Sequence, residues 1–437
     1  MKLRVLNIIL ASFVLCLFKT NAQVPSPASK QDKAIAIIGA TAHLGNGKVI
    51  NNALLAFNNG KITQIKSAQD HGLNLSDYKI INAEGKHLYP GLILANVSLG
   101  LVEVGSVRAT VDAAEIGVFN PNIRSIVAYN TDSEVIPTLR SNGILLAQIT
   151  PGGGLISGSS SIVQLDAWNW SDAAFSTDEG IYMSWPARTT RANFFNPEAS
   201  ASQNKIYDKT VATIDKFFND ANAYKNLTDS DVKNLKLESM RGLFDGTKTL
   251  YIRSGGIKEN IESITLAKKH NVKKIVLVGV DEDILKMTDF LKDNNIPVIV
   301  AGLMRTPKRT DGDVKIQYKI PYLLNKEGIL IGLDLPNPTG AFNLPFYAGA
   351  AAAYGMDKEE ALKTITSNMA KILGIDNRVG TIETGKDATL ILSTGDLLDI
   401  RTSNVEFAFI EGRRINLDNK HKRLYRKYKN KYEKQGY

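Results

Sequence analysis

The sequence predicts an α/β fold in which a TIM (β/α)8 barrel carries a small, discontinuous β-sandwich domain. Residues 34–90 consist of short β runs joined by turns, whereas residues 91–377 alternate buried apolar runs with helix-patterned segments. Residues 378–418 return to a β pattern. Buried strands that alternate with helices are typical of a parallel sheet covered on both faces, and about 290 residues suit an eight-stranded barrel.

The first β region begins with Ala34–Gly39 and continues through Val49–Phe57 and Lys61–Ile65. The tripeptides Gly45-Asn46-Gly47 and Asn58-Asn59-Gly60 separate these runs. Asn-Gly between short strands favours tight hairpin turns rather than a crossover helix. The β region after the barrel has the same character, so we expect the two regions to share one sheet.

The predicted barrel strands are short apolar runs, each bounded by turn residues or helical segments. They are Gly91–Val97, Ile144–Ile149, Ile162–Leu165, Leu250–Ile252, Lys274–Val278, Pro297–Val300 and Gly328–Leu333. The predicted helices are Asn260–His270, Glu282–Asn294, a more irregular Lys308–Lys326, and Lys358–Leu373.

Residues 167–249 are expected to interrupt the barrel as an insertion. The segment contains an amphipathic helix around Thr210–Tyr224 and a group of large aromatic residues. These aromatics are Trp168, Trp170, Tyr182 and Trp185. Aromatic side chains of this kind either pack within the insertion or cover the barrel mouth or an interface.

Residues 1–22 have the pattern of a secretory signal peptide. Lys2 and Arg4 precede the apolar run Val5–Phe18, and Ala22 is a small residue at the expected cleavage site. This pattern predicts an exported protein, periplasmic or secreted, with residues 23–33 as a Pro- and Ser-containing linker. The single cysteine, Cys16, lies within the signal, which excludes a disulfide scaffold and Cys-ligated zinc in the mature chain.

The net charge of +9 is concentrated at the two ends of the chain. Residues 1–22 carry three basic residues and no acidic one, and residues 419–437 carry eight basic residues and one Glu. The body between them is nearly neutral, so no nucleic-acid-binding face is expected there. It has no stretch of 18 or more apolar residues, so no transmembrane helix is expected there either. The basic tail, 419–437, is expected to be a solvated helix or a frayed segment, with an anionic surface or partner as the alternative.

Two segments resemble the amidohydrolase superfamily, in particular imidazolonepropionase-like exported amidohydrolases. The first is Leu88-Tyr89-Pro90-Gly91-Leu92-Ile93, which leads into a strand that ends near Asn96. The second runs from Glu360 through the segment Thr364-Ile365-Thr366-Ser367-Asn368-Met369-Ala370 to the hairpin Gly380-Thr381-Ile382-Glu383-Thr384-Gly385-Lys386-Asp387-Ala388. The resemblance covers about residues 34–415. It implies a distorted TIM barrel, a composite β-sandwich from 34–90 and 378–418, and metal-dependent hydrolysis of non-peptide C–N bonds.

The sequence departs from this family at the metal ligands. The family's His-x-His at the end of the first barrel strand is replaced by Asn96 and Ser98, and the His that ends a later strand by Arg253. A further family His falls near Val278, so that of these positions only the last-strand carboxylate, Asp334, is present. A guanidinium has no lone pair to donate, and a catalytic metal generally needs about three protein ligands. We therefore predict no bound metal, although the family uses Zn or another divalent ion.

The remaining histidines offer no replacement ligands. His43, His71, His87, His270 and His421 all lie away from the carboxyl ends of the predicted barrel strands, where such sites are built. If both side chains point into the mouth, Asp334 and Arg253 are expected to form an ion pair in the vacated site, with a helix cap as the alternative role of Asp334. Asn96, Ser98 and Arg253 are the candidate substrate-binding positions. Asp334 is the one candidate catalytic residue.

Three functions are compatible with these residues. The first is an impaired amidohydrolase that acts on C–N bonds, and the second is a non-catalytic pseudoenzyme. The pseudoenzyme would bind a small-molecule ligand, associate with an active paralogue, or form a homo-oligomer. The third is a surface-binding protein that uses the basic tail.

Overall fold

The computed structural model describes residues 26–70, 72–190, 202–225, 227, 233–307 and 311–435, with the exception of the Thr190 side chain. The predicted signal peptide with Cys16, and His71, lie outside the described residues. Within the described residues, no helix combines the length and the apolar character needed to cross a bilayer.

The strands fall into two large sheets and one short two-stranded pair. In chain order they are β1 (Ile35–His43), β2 (Val49–Asn58), β3 (Lys61–Ser67), β4 (Lys79–Asn82), β5 (His87–Pro90), β6 (Leu92–Val97), β7 (Ile144–Ile149), β8 (Ile156–Gln164), β9 (Ala174–Ser184), β10 (Thr189–Thr190), β11 (Ser202–Gln203), β12 (Thr249–Arg253), β13 (Ile275–Val280), β14 (Val298–Ala301), β15 (Ile331–Asp334), β16 (Leu390–Ser393), β17 (Val405–Ile410) and β18 (Arg413–Arg414).

The helices lie mainly between the barrel strands and after them. In chain order they are α1 (Ile136–Arg140), α2 (Trp170–Ala173), α3 (Tyr207–Tyr224), α4 (Leu235–Asp245), α5 (Ile257–Lys269), α6 (Thr288–Asp293), α7 (Ile316–Lys326), α8 (Leu344–Ala353), α9 (Lys358–Lys363), α10 (Ser367–Leu373) and α11 (Lys420–Gln435). Short 3-10 turns cover Leu75–Asp77, Arg108–Thr110, Ser125–Ala128, Glu282–Met287 and Ala341–Asn343.

The β domain is one sheet built from both ends of the chain. Its order is β18-β17-β16-β5-β1-β2-β3, with β4 paired to β1. β5 pairs antiparallel with β16, with Leu88 opposite Leu392, so the regions before and after the barrel share a sheet as expected. Asn59 and Gly60, at φ +48° and +79°, make the turn between β2 and β3, which is the conformation that Asn-Gly favours.

The second sheet is the barrel, with strand order β6-β7-β8-β9-β12-β13-β14-β15. The last strand, β15, lies beside the first, β6, so the eight strands nearly close, which confirms the predicted barrel. Its interior is filled by apolar and aromatic side chains that include Ile93, Tyr182, Tyr251 and Met369.

One barrel strand runs against the others, whereas we expected an all-parallel sheet. β8 pairs antiparallel with both β7 and β9. Residues 150–155 connect β7 to β8, and this loop is too short for the crossover that a parallel neighbour requires. Gly153 and Gly154, at φ +79° and +63°, let the chain reverse there.

The segment 167–249 contributes more to the barrel than an insertion would. It contains β9, which pairs with β8 and β12 inside the barrel sheet. The expected helix around Thr210–Tyr224 is α3. The predicted helices Glu282–Asn294 and Lys358–Leu373 are each divided, the first into a 3-10 turn and α6, the second into α9 and α10.

Candidate functional site

Three side chains predicted for the site meet at the carboxyl ends of barrel strands. Asn96 is near the end of β6, Arg253 ends β12 and Asp334 ends β15. The Asn96 Nδ2 donates to Asp334 Oδ2 at 2.7 Å. The Arg253 Nη2 and Nε donate to Asn96 Oδ1 at 2.6 and 3.2 Å. The structure thus forms a chain of hydrogen bonds, Arg253–Asn96–Asp334, across the barrel mouth.

This arrangement corrects the expected ion pair between Asp334 and Arg253. Among the described residues, no salt bridge joins the two side chains, and the Asn96 amide stands between them. An amide has a donor on one side and an acceptor on the other, so it can satisfy a carboxylate and a guanidinium at once. The two partners fix its orientation.

Asn96 reaches this position because its backbone is left-handed. Its φ is +52°, a region that Asn occupies more readily than most residues with a side chain. Its N–H donates to Gln148 Oε1 at 3.2 Å. Ser98 follows the end of β6 and is half-buried. Among the described residues, no hydrogen bond joins the Ser98 hydroxyl to the other three predicted site residues.

Arg253 is held from several sides. It donates to Thr150 Oγ1 at 3.2 Å and to the Pro151 carbonyl at 3.3 Å. Its guanidinium lies over the ring of Tyr182, 4.4 Å from the ring centre. Burial lowers the pKa of Arg253, and Tyr182 and Asp334 oppose this effect. A guanidinium nevertheless stays protonated in proteins, so the site contains a fixed positive charge.

Asp334 is fully buried, and burial raises the pKa of its carboxyl group to about 7. The hydrogen bond from Asn96 and the charges of Arg253 and Arg305 pull the pKa of this carboxyl group in the opposite direction. The second oxygen, Oδ1, has no hydrogen-bond partner among the described residues. Asp334 is therefore a carboxyl group that gains or loses a proton near neutral pH.

Beneath the mouth, a second polar network supports Tyr182. The Tyr182 hydroxyl donates to Gln148 Oε1 at 2.8 Å, and Gln148 Nε2 donates to Glu179 Oε1 at 2.9 Å. Ser160 and Tyr251 also donate to Glu179, at 2.6 and 3.2 Å. Burial raises the pKa of Glu179. This network holds the ring on which Arg253 rests.

Sequence reasoning missed Glu179, Gln148 and Arg305. Gln148 was detectable in principle, because it is a polar residue inside the buried run Ile144–Ile149. Glu179 lies in β9, which we had assigned to an insertion. Arg305 follows β14 and is held by Gln317 Oε1 at 3.2 Å, a contact that sequence spacing does not indicate.

The aromatic residues of 167–249 have different locations. Tyr182 is buried inside the barrel and stacks on Tyr251 with ring centres 4.8 Å apart. Trp185 is buried and donates to the Tyr207 hydroxyl at 2.9 Å. Trp168 and Trp170 are exposed.

The described histidines lie away from the barrel mouth. His43 and His87 are in the β domain and contact each other, 3.1 Å between Nε2 and Nδ1. His270 follows α5 and contacts Asp215, and His421 is on α11.

The residues at the mouth do not fit a catalytic metal ion. Val278 lies opposite Arg253 in the β12–β13 register and provides only an apolar side chain. Across the described part of the chain, no group of three or more His, Cys, Asp or Glu side chains is arranged to hold an ion. The Asp334 Oδ2 is already bonded to Asn96, and the fixed charge of Arg253 would repel a cation.

Comparisons with known proteins agree with this architecture. Residues 325–415 match the model of the amidohydrolase family. The chain is similar to a solved amidohydrolase from Thermotoga maritima MSB8, with 22% identity and a TM-score of 0.75 over 87% of this chain and 99% of that chain. No curated protein sequence matches the chain.

Two further solved structures have the same fold at lower identity. One is a molinate hydrolase, with 14% identity and a TM-score of 0.53 over 90% of this chain and 96% of that chain. The other is a Xaa-Pro dipeptidase with bound methionine, with 13% identity and a TM-score of 0.53 over 88% and 100%. At these identities the likeness concerns the fold and not the reaction. Residues 325–415 are therefore similar to the amidohydrolase family, and the whole chain shares the fold of these solved structures.

Proposed function

We propose that this amidohydrolase-like protein has lost metal-dependent C–N hydrolysis and binds a small molecule at its barrel mouth. The observation that carries the proposal is the Arg253–Asn96–Asp334 chain, which puts a fixed cation and an amide at positions where the family has metal ligands. We propose that the protein binds no metal ion.

Electrostatics support the loss of the metal. Two unit charges about 4 Å apart at an effective dielectric constant of about 20 interact by about 4 kcal/mol. A divalent ion at that distance from Arg253 would therefore be repelled by about 8 kcal/mol. One ionised carboxylate at the same distance would attract the ion by a similar amount, so Asp334 and Arg253 together provide no net attraction. The site also lacks the roughly three protein ligands that a catalytic metal ion needs. Without a metal, bound water keeps a high pKa and is a poor nucleophile.

A cavity meets the site at Pro151, while Asn96, Arg253 and Asp334 do not line it. This cavity of about 410 Å³ is lined by Pro151, whose carbonyl accepts a hydrogen bond from Arg253. Its lining also includes Asp112, Glu115 and Arg124. A volume of this size lies within the usual range of small-molecule sites.

A second candidate function is metal-independent hydrolysis with Asp334 as general base. The observation in its favour is a carboxyl group with a pKa of about 7, whose Oδ1 has no hydrogen-bond partner in the described part of the chain. A base with a pKa near the working pH is the most effective. Against it stands the complete burial of Asp334.

Hydrolysis assays separate the two functions. A panel of dipeptides, cyclic amides and cyclic ureas is incubated with the wild type and Asp334→Asn, with and without added zinc or manganese. The proposal predicts no turnover above the uncatalysed rate in any arm. Turnover that needs added metal would contradict it, and metal-free turnover that disappears in Asp334→Asn would establish the second candidate.

Ligand binding is tested by thermal-shift screening of small polar molecules against the wild type and Arg253→Met. We expect ligands that raise the melting temperature of the wild type and not that of the variant. Ligands that stabilise both proteins equally would place binding elsewhere.

The proposal includes export of the protein and its association with a partner protein. The N-terminal pattern supports export to the periplasm or the exterior. An active paralogue would supply a partner enzyme for the binding function, and pairing with a second copy would give a homo-oligomer. Co-purification of the full chain from its native host tests this association.

A further inference from the structure

The C-terminal helix α11 is exposed along its whole length. None of its sixteen residues is buried. Its large side chains include Leu424, Tyr425, Tyr428 and Tyr432, which are 41%, 67%, 49% and 51% exposed. A helix on a protein surface normally turns its apolar side toward the core, so this exposure needs an explanation.

The helix is attached to the body through its polar side. Arg423 forms an ion pair with Glu134 at 3.4 Å, and Arg426 forms one with Asp418 at 2.8 Å. Just before the helix, Asn419 Nδ2 donates to Ser141 Oγ at 2.8 Å. These contacts fix which side of the helix faces the protein.

The tyrosines lie on the opposite side. At about 100° per residue, Tyr432 is roughly 180° and Tyr425 roughly 160° around the helix from Arg423. Leu424 and Tyr428 are four residues apart and extend the same stripe, as does Tyr432 after a further four. The aromatic stripe therefore faces away from the body.

Basic residues border the stripe on both sides. Lys422 and Lys429 lie along one edge of the stripe, and Lys420 and Lys431 along the other. The helix contains eight basic residues and one acidic residue, Glu433. Long lysine side chains beside an apolar stripe can extend their ammonium groups past it, toward anionic groups in the plane that the stripe enters.

The positive charge of α11 favours a negatively charged partner. A second copy of the chain would bring an equally basic helix against this one, so self-association through α11 is disfavoured by like-charge repulsion. Tyrosine has an apolar ring and a polar tip, which suits the boundary between lipid headgroups and acyl chains. We propose that α11 binds peripherally to an anionic phospholipid surface, with its tyrosine stripe entering the headgroup region.

The test uses the full mature chain and sedimented vesicles. One set contains phosphatidylcholine alone, and the other contains 30% phosphatidylglycerol. We expect at least tenfold stronger partition onto the anionic vesicles at 0.1 M salt, and a large loss of binding at 0.5 M salt. Equal binding to both vesicle types, or no binding to either, would overturn the proposal.

Two variants and one control assign the binding to the helix. The triple change Tyr425→Ser, Tyr428→Ser and Tyr432→Ser removes the stripe, and Lys420→Gln, Lys429→Gln and Lys431→Gln removes three flanking charges. The control, Lys66→Gln, Lys236→Gln and Lys258→Gln, removes the same charge from exposed positions elsewhere. Each helix variant should lose at least fivefold in partition while the control stays within twofold. Equal losses in all three would overturn the proposal.

A duplex DNA probe distinguishes lipid from a general polyanion. At matched phosphate concentration, the wild type should bind the anionic vesicles more tightly than a 20-base-pair duplex, because the duplex offers no apolar layer to the tyrosines. Loss of DNA binding in the lysine variant together with full vesicle binding in the tyrosine variant would replace the lipid proposal with a nucleic-acid one. Circular dichroism and thermal melting confirm that each variant is folded.

Discussion

Asp334 should make the stability of the protein depend on pH, and Asp334→Asn should remove that dependence. Burial raises the pKa of this carboxyl group from 3.8 to about 7. Between these two values the folded state binds more protons at this site than the unfolded state does. The free energy of unfolding therefore falls as pH rises through this window and levels off above pH 7.

The size of the effect follows from the two pKa values. Each pH unit between the folded and unfolded pKa corresponds to about 1.4 kcal/mol. A rise from 3.8 to about 7 thus gives a contribution of about 4 kcal/mol, present at pH 4 and lost by pH 8. Asparagine has nearly the same shape as aspartate, and its amide oxygen can still accept the hydrogen bond from Asn96, so the variant should fold.

The assay is urea unfolding of the wild type and the variant at pH 4, 5, 6, 7 and 8. Glu179, whose pKa is also raised by burial, affects both proteins alike and cancels in the difference. The wild type should lose about 4 kcal/mol relative to Asp334→Asn between pH 4 and pH 8. Asp289→Asn, at a carboxylate that is 91% exposed, is the control and should leave the slope unchanged. Parallel curves for the wild type and Asp334→Asn would refute the assigned pKa.

Two further substitutions test the contacts of buried charges. Arg253→Met keeps much of the stem packing but leaves Asn96 Oδ1 without its two donors, so we expect a loss of about 1–3 kcal/mol in urea unfolding at pH 7. The exposed Arg401→Met should cost under about 0.5 kcal/mol, and equal losses in the two would count against the hydrogen-bonded chain. Asp166→Ala leaves the buried Arg140 guanidinium without its carboxylate, 2.5 Å away, and removes a contact of Arg413 at 2.9 Å. We expect about 3–5 kcal/mol of destabilisation, and a loss below about 1 kcal/mol would show that the pair contributes little.

The fold was largely predictable because its strands are apolar runs with clear turns. Ile144–Ile149 was predicted with its observed bounds, and the Asn-Gly turn before β3 was found from two residues. The start of β8 reads Ile-Ser-Gly-Ser-Ser-Ser, and its small polar residues gave no strand signal although all nine residues of the strand are buried. The antiparallel direction of β8 results from the short loop 150–155. The sequence alone does not show that this loop joins two paired strands.

Three side chains of the site were found from the sequence, but the hydrogen bonds that connect them were not. The resemblance to the amidohydrolase family implied positions at strand ends for Asn96, Arg253 and Asp334, and the carboxyl ends of parallel strands converge in a barrel. That Asn96 bridges the other two depends on its left-handed backbone and on the N–H contact to Gln148, which are tertiary features. The network around Glu179 was missed because β9 begins with polar residues and resembled an insertion.

The metal content of the purified mature protein tests the central claim most directly. The protein is dialysed against zinc and manganese, freed of loosely held ions, and analysed by elemental mass spectrometry, with Arg253→His and Asn96→His as comparison variants. Because Arg253 supplies a fixed positive charge and the described mouth residues provide one carboxylate, the account predicts about zero ions per wild-type chain. About one tightly held ion per wild-type chain would contradict it, since the metal would then have to bind beside the guanidinium.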